Sequence, residues 1–118
     1  MSRLSNTATA NQVAFGQLGA VYTKTSGEAI KPPTGRVFVA IQMLENTTFD
    51  GSGGLVAENA TLHFNTESAA GDLASATAAQ GEGGQQIPDS QTFPKGMTIY
   101  GRWTEVDVNS GAVIAYIG

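Results

Sequence analysis

The sequence predicts an all-β protein: a compact β-sandwich or a jelly-roll-like barrel of short antiparallel strands, with an extended N-terminal arm. Two observations predict this class. From Val13 onward, short apolar runs are bounded by Gly, Pro, Asn and Ser, the residues that end strands and form turns. Within several of these runs, apolar residues recur at every second position, the period of a strand. A chain of 118 residues has the length of one domain.

Composition divides the chain into an arm and a single domain. Residues 1–12 are polar, small and unpatterned, so we expect a flexible arm there. Residues 13–118 are expected to form one β-domain. Within it, residues 66–92 are rich in Ala, Gly and Gln, which predicts a low-complexity excursion from the domain.

The strongest core strand is predicted from Arg36 to Leu44. Apolar residues occupy both of its alternating faces, which is typical of a strand that is covered on both sides. The faces are Val37, Val39, Ile41 and Met43 on one side and Phe38, Ala40, Gln42 and Leu44 on the other. A small sandwich covers only the inner face of each sheet, so the second cover is an arm, a loop or another subunit. We therefore expect an oligomer.

Two shorter segments also carry strand signals. Residues 20–25 and 28–31 flank the turn-forming pair Ser26-Gly27, which predicts a hairpin. Residues 59–65 predict a half-buried strand with Leu62 and Phe64 facing inward.

The C-terminal stretch from Phe93 to Gly118 predicts two strands joined as a hairpin by a tight turn at Asn109-Ser110-Gly111. Trp103 is expected in the core, and Gly101 marks a place where the first strand can bend. The apolar positions change phase after Trp103, from odd to even numbers. Because a slip of one residue moves side chains to the other face, we expect a β-bulge or a switch of sheet near Thr104-Glu105.

Composition and charge exclude several classes of function. The net charge is −4, so nucleic acid, whose phosphates require Lys and Arg, is not expected as a partner. Without any Cys the chain has no disulfide and no thiolate metal site. The N-terminus lacks the apolar run of a signal peptide, and no stretch has the length of a membrane span. We expect a protein made in a cytoplasm that binds no membrane.

No catalytic, cofactor-binding or metal-binding residues are predicted. His63 is the only histidine and has no serine in a nucleophile elbow to serve, so it is expected on the surface. Glu105 and Asp107 are spaced to share a strand face, but the expected interpretation is a solvated face. The glycine-rich run from Asp50 to Gly54 lacks the repeated acidic positions of a calcium loop. The sequence therefore predicts that the protein is not an enzyme.

Aromatic and arginine residues near the C-terminus are candidates for an interface. Tyr, Trp and Arg dominate the hot spots of protein interfaces, so Tyr100, Arg102, Trp103 and Tyr116 form a group that would make a hot spot if exposed. Trp103 is expected in the core, which leaves Tyr100, Arg102 and Tyr116 as the interface candidates. Arg3 and Leu4 in the arm join this set, because a basic N-terminal end can pair with an acidic surface on a neighbour. The acidic surface is supplied by residues 45–89, which contain no Lys or Arg.

Two blocks at the end of the chain resemble a known family. Residues 94–104 read PKGMTIYGRWT, and residues 111–118 read GAVIAYIG. Together they resemble the C-termini of small structural proteins of tailed-phage virions, of the head decoration or cement type. The likeness covers about the last 25 residues of the sequence.

The resemblance implies an all-β structural subunit of a bacteriophage virion and supplies no catalytic residues. Its first implication is a decoration protein on the outer capsid surface that stabilises the head by multivalent, non-covalent contacts with the major capsid protein. A homo-oligomer is implied, with a trimer favoured. The alternative is a receptor-binding or structural module at the tail or fibre tip, where exposed aromatic residues and Gly-rich loops form the ligand surface.

Overall fold

Runs of β-branched and aromatic residues form strands in a computed structural model of the protein. The model describes residues 18–24, 28–50, 53–59, 62–66 and 86–118. Its strands are β1 Ala20–Lys24, β2 Phe38–Met43, β3 Thr48–Phe49, β4 Leu55–Ala57, β5 Thr98–Val106, β6 Val108–Ser110 and β7 Ala112–Ile117. Five of them form a sheet in the order β1-β7-β2-β5-β4, and β3 pairs with β6 in a second sheet. All pairings between these strands are antiparallel. The prediction of an all-β, sandwich-like fold is confirmed.

The core lies on one face of the large sheet. A row of directly paired residues crosses four strands on this face: Val21, Ala115, Ile41 and Ile99. The second layer adds Phe49, Val108 and Phe93, and Phe49 meets Phe93 edge to face with ring centroids 5.3 Å apart. Trp103 is fully buried, as predicted. Its indole Nε1 donates to the carbonyl oxygen of Phe64 at 3.2 Å.

The predicted C-terminal hairpin is wrong, because the central strand β2 lies between its two strands. Ala40 pairs with Tyr100 of β5 on one side and with Tyr116 of β7 on the other. The chain leaves β5 at Asp107 and forms β6, which pairs with β3 in the second sheet. It then returns to the large sheet as β7. Gly111, with φ of 98°, makes the return turn, and a Cβ there would collide with the carbonyl oxygen of Asn46.

The irregularities predicted along β5 are confirmed. Val56 pairs with Glu105 and Ala57 pairs with Trp103, so Thr104 is an extra residue that forms a bulge. A second bulge lies near Gly101, since two residues of β5 face the single residue between Phe38 and Ala40 of β2. The switch of sheet follows directly, at Asp107. The change of phase in the apolar pattern therefore marks both the bulge at Thr104 and the switch of sheet at Asp107.

The predicted faces of β2 are wrong at its start. Phe38 lies in the core with Ile41 and Met43, although simple alternation assigns it to the face of Ala40. The reason is a third irregularity, since Phe38 and Ala40 pair with the consecutive residues Ile117 and Tyr116 of β7. One added residue on β2 moves every side chain before it to the opposite face.

The predicted N-terminal hairpin is also wrong. Strand β1 pairs with β7, whereas Ile30 forms a bridge to Val106 of β5 with reciprocal backbone hydrogen bonds of 2.8 and 3.0 Å. Ile30 therefore lies beside β5, which β7 and β2 separate from β1 in the large sheet. Ile30 packs against the core from there.

Residues 62–66 do not continue a strand, contrary to prediction. The carbonyl oxygen of Asn59 accepts hydrogen bonds from the backbone N–H groups of Leu62 and His63, so the chain turns there. The turn leaves Leu62 70% exposed. Phe64 faces inward as predicted and packs edge to face on Trp103, with ring centroids 5.3 Å apart.

The predicted excursion at 66–92 begins and ends at neighbouring points of the domain. Thr66 bridges Ile87 in parallel, and the backbone N–H of Ile87 donates to the carbonyl oxygen of Asn65 at 3.0 Å. The N-terminal arm at 1–12 and the middle of the excursion lie outside the described residues. Within the described ranges, no helix has the length and apolarity to cross a membrane.

Candidate functional site

The large sheet presents its second face to solvent, and aromatic residues collect there. Directly paired residues point to the same side of a sheet, so the register defines this face as two rows across β1, β7, β2 and β5. The first row is Ala20, Tyr116, Ala40 and Tyr100, and the second is Tyr22, Ile114, Gln42 and Thr98. We call these eight residues the tyrosine face.

The tyrosine face contains all three tyrosines of the chain and no charged residue. Tyr22 is 57% exposed and Tyr100 65% exposed, while Tyr116 is half-buried. The hydroxyl of Tyr116 donates to Oε1 of Gln42 at 3.3 Å. Such a face offers large rings that are held on a rigid sheet, with hydroxyl and amide groups between them.

The structure brings together two of the predicted interface residues and separates a third. Tyr100 and Tyr116 flank Ala40 in one row of the tyrosine face. Arg102 lies two residues further along β5, in the bulge, where its side chain contacts Glu58. Arg3 and Leu4 lie outside the described residues.

Arg102 forms an ion pair with Glu58 at the β4 edge of the sheet. Nε of Arg102 lies 2.7 Å from Oε1 of Glu58, and a second nitrogen, Nη2, lies 3.4 Å from Oε2. The hydrogen bond from Arg102 lowers the pKa of the Glu58 carboxyl, and the charges of Arg102 and His63 act in the same direction. The same hydrogen bond raises the pKa of Arg102. Both side chains remain exposed, so the pair is a surface feature.

Sequence reasoning missed Tyr22 and Ile114 as members of the interface set. Alternation in β1 exposes Tyr22, because Val21 and Thr23 face the core. That signal is present in the sequence. The position of β1 next to β7 is not, since it depends on a pairing between residues far apart in the chain. Only this pairing places Tyr22 beside the two C-terminal tyrosines.

A group of carboxylates surrounds the point where β5 leaves the large sheet. Asp107 is only 8% exposed, so its predicted place on a solvated strand face is wrong. Its backbone N–H donates to the carbonyl oxygen of Gly54, and its own carbonyl accepts from the N–H of Asp50. These two backbone hydrogen bonds hold Asp107 at the point where the chain passes from the large sheet to the second sheet. Its side chain is buried at that point.

The carboxyl of Asp107 lies in surroundings that disfavour its charged form. Burial raises its pKa, and repulsion from Asp50 and Glu105 adds to the rise. Its Oδ1 atom is buried without a hydrogen-bond partner among the described residues. Glu105 differs in its surroundings, since its carboxylate lies 3.6 Å from Nζ of Lys31. The two acids thus have separate environments and not one shared strand face.

Among the described residues, His63 and the acidic side chains are not arranged as a metal centre. No group of three or more His, Cys, Asp or Glu side chains within the described ranges is arranged to hold a metal ion. His63 is half-buried in the turn that follows Asn59 and does not lie on a strand. The tyrosine face is therefore the most distinctive surface that the described chain presents.

The segments that carry the family resemblance build this surface. The PKGMTIYGRWT block forms a turn and most of β5, and the GAVIAYIG block forms β7, so together they flank β2 and supply Tyr100, Tyr116 and Trp103. Comparison with protein-family models, with curated proteins and with solved structures returns no match. The functional argument consequently rests on the residues of this chain.

Proposed function

We propose that this chain is a decoration, or cement, protein that binds the outer surface of a tailed-phage head and stabilises it through non-covalent, multivalent contacts. The tyrosine face is the observation that carries the proposal. An aromatic surface of this kind suits contact with another protein surface, and the described residues contain no group of three or more His, Cys, Asp or Glu arranged to hold a metal ion.

The composition of the tyrosine face supports a role in assembly. Tyr is enriched in interface hot spots because one ring supplies a large contact area while only two side-chain torsions are fixed on binding. Hydrogen-bonded strands already fix the backbone positions from which the side chains of Tyr22 and Tyr100 project. Binding through such a preorganised surface loses little conformational entropy.

The C-terminal resemblance supplies the identity of the proposed partners. It favours the major capsid protein as the binding surface and a homo-oligomer, with three copies expected, as the attached unit. Symmetric attachment multiplies individually weak contacts, because each further contact forms within a complex that is already tethered. The arm at 1–12 is proposed to reach the neighbouring capsid subunits.

A capsid-binding experiment tests the proposal. Purified protein is added to phage heads that lack it, and bound protein is measured by sedimentation of the heads. We expect saturable binding and a higher temperature of DNA release from decorated heads. The proposal is contradicted if the heads sediment without bound protein even when the added protein is at a concentration well above that of the virions.

Exposure of Tyr22 and Tyr100 also favours a second candidate, the receptor-binding or structural module of a tail or fibre tip. In that role the aromatic rings contact a molecule of the host surface. The two functions differ in where the protein resides on the particle. Binding of the purified protein to host cells, together with no binding to heads, favours the tail role.

A further inference from the structure

We infer that the capsid contact of this chain includes strand addition, in which an extended, acidic segment of the capsid surface pairs with the outer edge of β1. The large sheet then gains one strand beside β1, which is the terminal strand of its order. The inference rests on the proposed function, because it names the conformation and charge of the capsid segment that is bound. It concerns backbone groups at an edge, whereas the tyrosine face contributes side chains, so the two contacts can be lost separately.

The register of β1 identifies the backbone groups that β7 does not use. Gly19, immediately before β1, accepts a hydrogen bond from the backbone N–H of Ile117 at 2.8 Å. Residue pairs of an antiparallel ladder alternate between those that exchange hydrogen bonds and those that do not. Counting from Gly19, the groups of Val21 and Thr23 point toward β7. The N–H and C=O groups of the alternate residues point away from the sheet: Ala20, Tyr22 and Lys24.

The outward backbone groups of Ala20, Tyr22 and Lys24 form what we call the open edge. All three residues are exposed, and no hydrogen bond among the described residues uses these groups. Val21 between them is only half-buried, although it packs against the core. An added strand would therefore gain backbone hydrogen bonds and would also cover apolar surface of Val21.

The opposite edge of the large sheet, at β4, is closed by side chains. The backbone N–H of Leu55 donates to Oγ1 of Thr66 at 2.7 Å, and the N–H of Ala57 donates to Oδ1 of Asn65 at 2.6 Å. The N–H of Thr66 donates in turn to the carbonyl oxygen of Leu55 at 3.1 Å. Both covering residues are fully buried. The hydrogen-bonding groups of β4 are thus satisfied within the chain.

Strand β1 lacks the features that protect a sheet edge from pairing with other chains. Such features are proline, bulges, inward-pointing charges and covering segments. The five residues of β1 include no proline, their pairing with β7 has no irregularity, and the residues that face inward are Val21 and Thr23. The contrast with β4 indicates that the open edge is available to a partner strand.

Charge indicates the character of that partner strand. Lys24 is exposed, and neither ion pair of the described residues involves it. Oppositely charged residues that face each other on paired strands stabilise the pairing. We therefore expect the capsid segment to carry Asp or Glu opposite Lys24.

A second copy of β1 satisfies the open edge less well. Two copies paired antiparallel about Tyr22 would set Lys24 of each strand against Ala20 of the other. The backbone groups would be paired, but neither lysine would face an acidic residue. An acidic capsid segment satisfies both the backbone groups and the charge.

Binding to phage heads that lack the protein tests the inference through two variants of the open edge. Ala20→Pro removes one outward N–H, and proline is tolerated on edge strands where that group faces solvent. Lys24→Glu reverses the charge of the edge. Lys95→Glu is the matched control, because Lys95 is also exposed but lies in the turn before β5.

The variants should differ in binding and not in folding. We expect all three to melt with the parent chain. In sedimentation with heads, we expect Ala20→Pro to raise the dissociation constant about tenfold or more, because it removes a donor and its ring obstructs the added strand. Lys24→Glu should raise it about fivefold, since like charges then face each other. Lys95→Glu should bind like the parent.

Hydrogen exchange at single amides separates strand addition from contact through side chains. In the free chain, the outward N–H of Tyr22 should exchange faster than the inward N–H groups of Val21 and Thr23. On heads, the Tyr22 amide should become protected, with exchange slowed about tenfold or more. Exchange on heads, followed by release of the chain and NMR, measures this protection.

The outcomes distinguish the inference from the capsid role. If the parent binds heads and both edge variants bind equally well, the inference is overturned and the capsid role stands. A Tyr22 amide that stays unprotected on heads has the same consequence. Heads that bind no parent chain overturn the capsid role and the capsid segment with it. A parent chain that dimerises in solution, and that Ala20→Pro keeps monomeric, assigns the open edge to a second copy and also overturns the inference.

Discussion

Asp107 shows how a single residue departs from what local pattern predicts. In sequence it is one of two acids spaced two apart on a strand, and such residues are usually solvated. Its burial follows from the switch of sheet at this position, which is a property of the whole chain path. A carboxyl drawn inward in this way favours its neutral form. The pattern therefore identified the residue, and the topology determined its surroundings.

Stability should consequently fall as Asp107 ionises. The pKa of its carboxyl is raised in the folded chain by burial and by Asp50 and Glu105, so the folded state holds the proton more tightly than the unfolded state does. Unfolding free energy should decrease as pH rises from about 3.9, the value of an unperturbed Asp, through the raised pKa, and be constant above it.

Asp107→Asn removes this titration. We expect the variant to be more stable than the parent at pH 7, by an amount on the order of 1 kcal/mol, and equal or less stable at pH 3.5. Urea unfolding at the two pH values measures the difference. If the difference in unfolding free energy between Asp107→Asn and the parent is the same at pH 7 and at pH 3.5, the prediction of a raised pKa at Asp107 is contradicted.

Trp103 was predictable from sequence, and its environment permits a sharper prediction. Trp103→Ala should lower the unfolding free energy by about 3–5 kcal/mol, because it empties the centre of the core. Gly101→Ala should cost about 1–3 kcal/mol through overpacking. A Cβ at Gly101 would lie 2.7 Å from Cζ2 of the indole ring.

The smaller ring of Trp103→Phe provides the control for Gly101→Ala. In a double-mutant cycle, Gly101→Ala should cost less in the Trp103→Phe background than in the parent, because the space it needs is then open. Additive effects of the two substitutions would show that the cost of Gly101→Ala comes from elsewhere. Thermal or chemical unfolding of the four chains measures the coupling.

At the scale of elements, strands could be predicted from the sequence but their neighbours could not. The core strand, the long strand after Met97 and the final strand all exist close to their predicted positions. The two predicted hairpins do not, because a tight turn between strands does not require that they pair. Asn109-Ser110-Gly111 turns the chain into another sheet, and β2 takes the vacant central position.

Engineered cysteine pairs test this strand order directly. Gln42 and Thr98 lie opposite each other on β2 and β5, so cysteines at both positions should form a disulfide on mild oxidation. Thr104 and Tyr116 would face each other in a C-terminal hairpin, but β2 separates their strands. Cysteines at those two positions should remain reduced. Rapid oxidation of the second pair, with the first pair unreacted, contradicts the order β7-β2-β5.

The bulges explain why the change of apolar phase was informative. A regular strand from Met97 to Val108 cannot bury both Trp103 and Val106 on one face, since they are three positions apart and an odd spacing places side chains on opposite faces. The extra residue Thr104 removes the conflict. The irregularity in β2 could not be predicted in this way. Because β2 is apolar on both faces, an added residue produces no change of phase in its apolar pattern.

At the scale of the whole molecule, the sheet that presents the tyrosines and the N-terminal residues 1–12 have separate proposed roles. The sequence predicts that residues 1–12 are an arm that contacts neighbouring capsid subunits. Deletion of residues 1–12 should therefore leave the melting temperature unchanged and reduce occupancy on phage heads. Unchanged occupancy on heads removes the arm from the mechanism.

The tyrosine face was only partly visible in the sequence. Tyr100 and Tyr116 were identified from their residue types and from strand alternation. The complete face depends on long-range pairing of β1, β7, β2 and β5, which no local pattern specifies. Charged residues border the eight on the same strands: Lys24 follows Tyr22 on the same side of β1, and Arg102 follows Tyr100 along β5.

The central claim is that the protein resides on the phage head. Immunogold electron microscopy of virions, with an antibody raised to this chain, measures its location most directly. We predict label distributed over the whole head surface. Label confined to the end of the tail would contradict the decoration role in favour of the tail module, and particles without any label would contradict a place in the virion altogether.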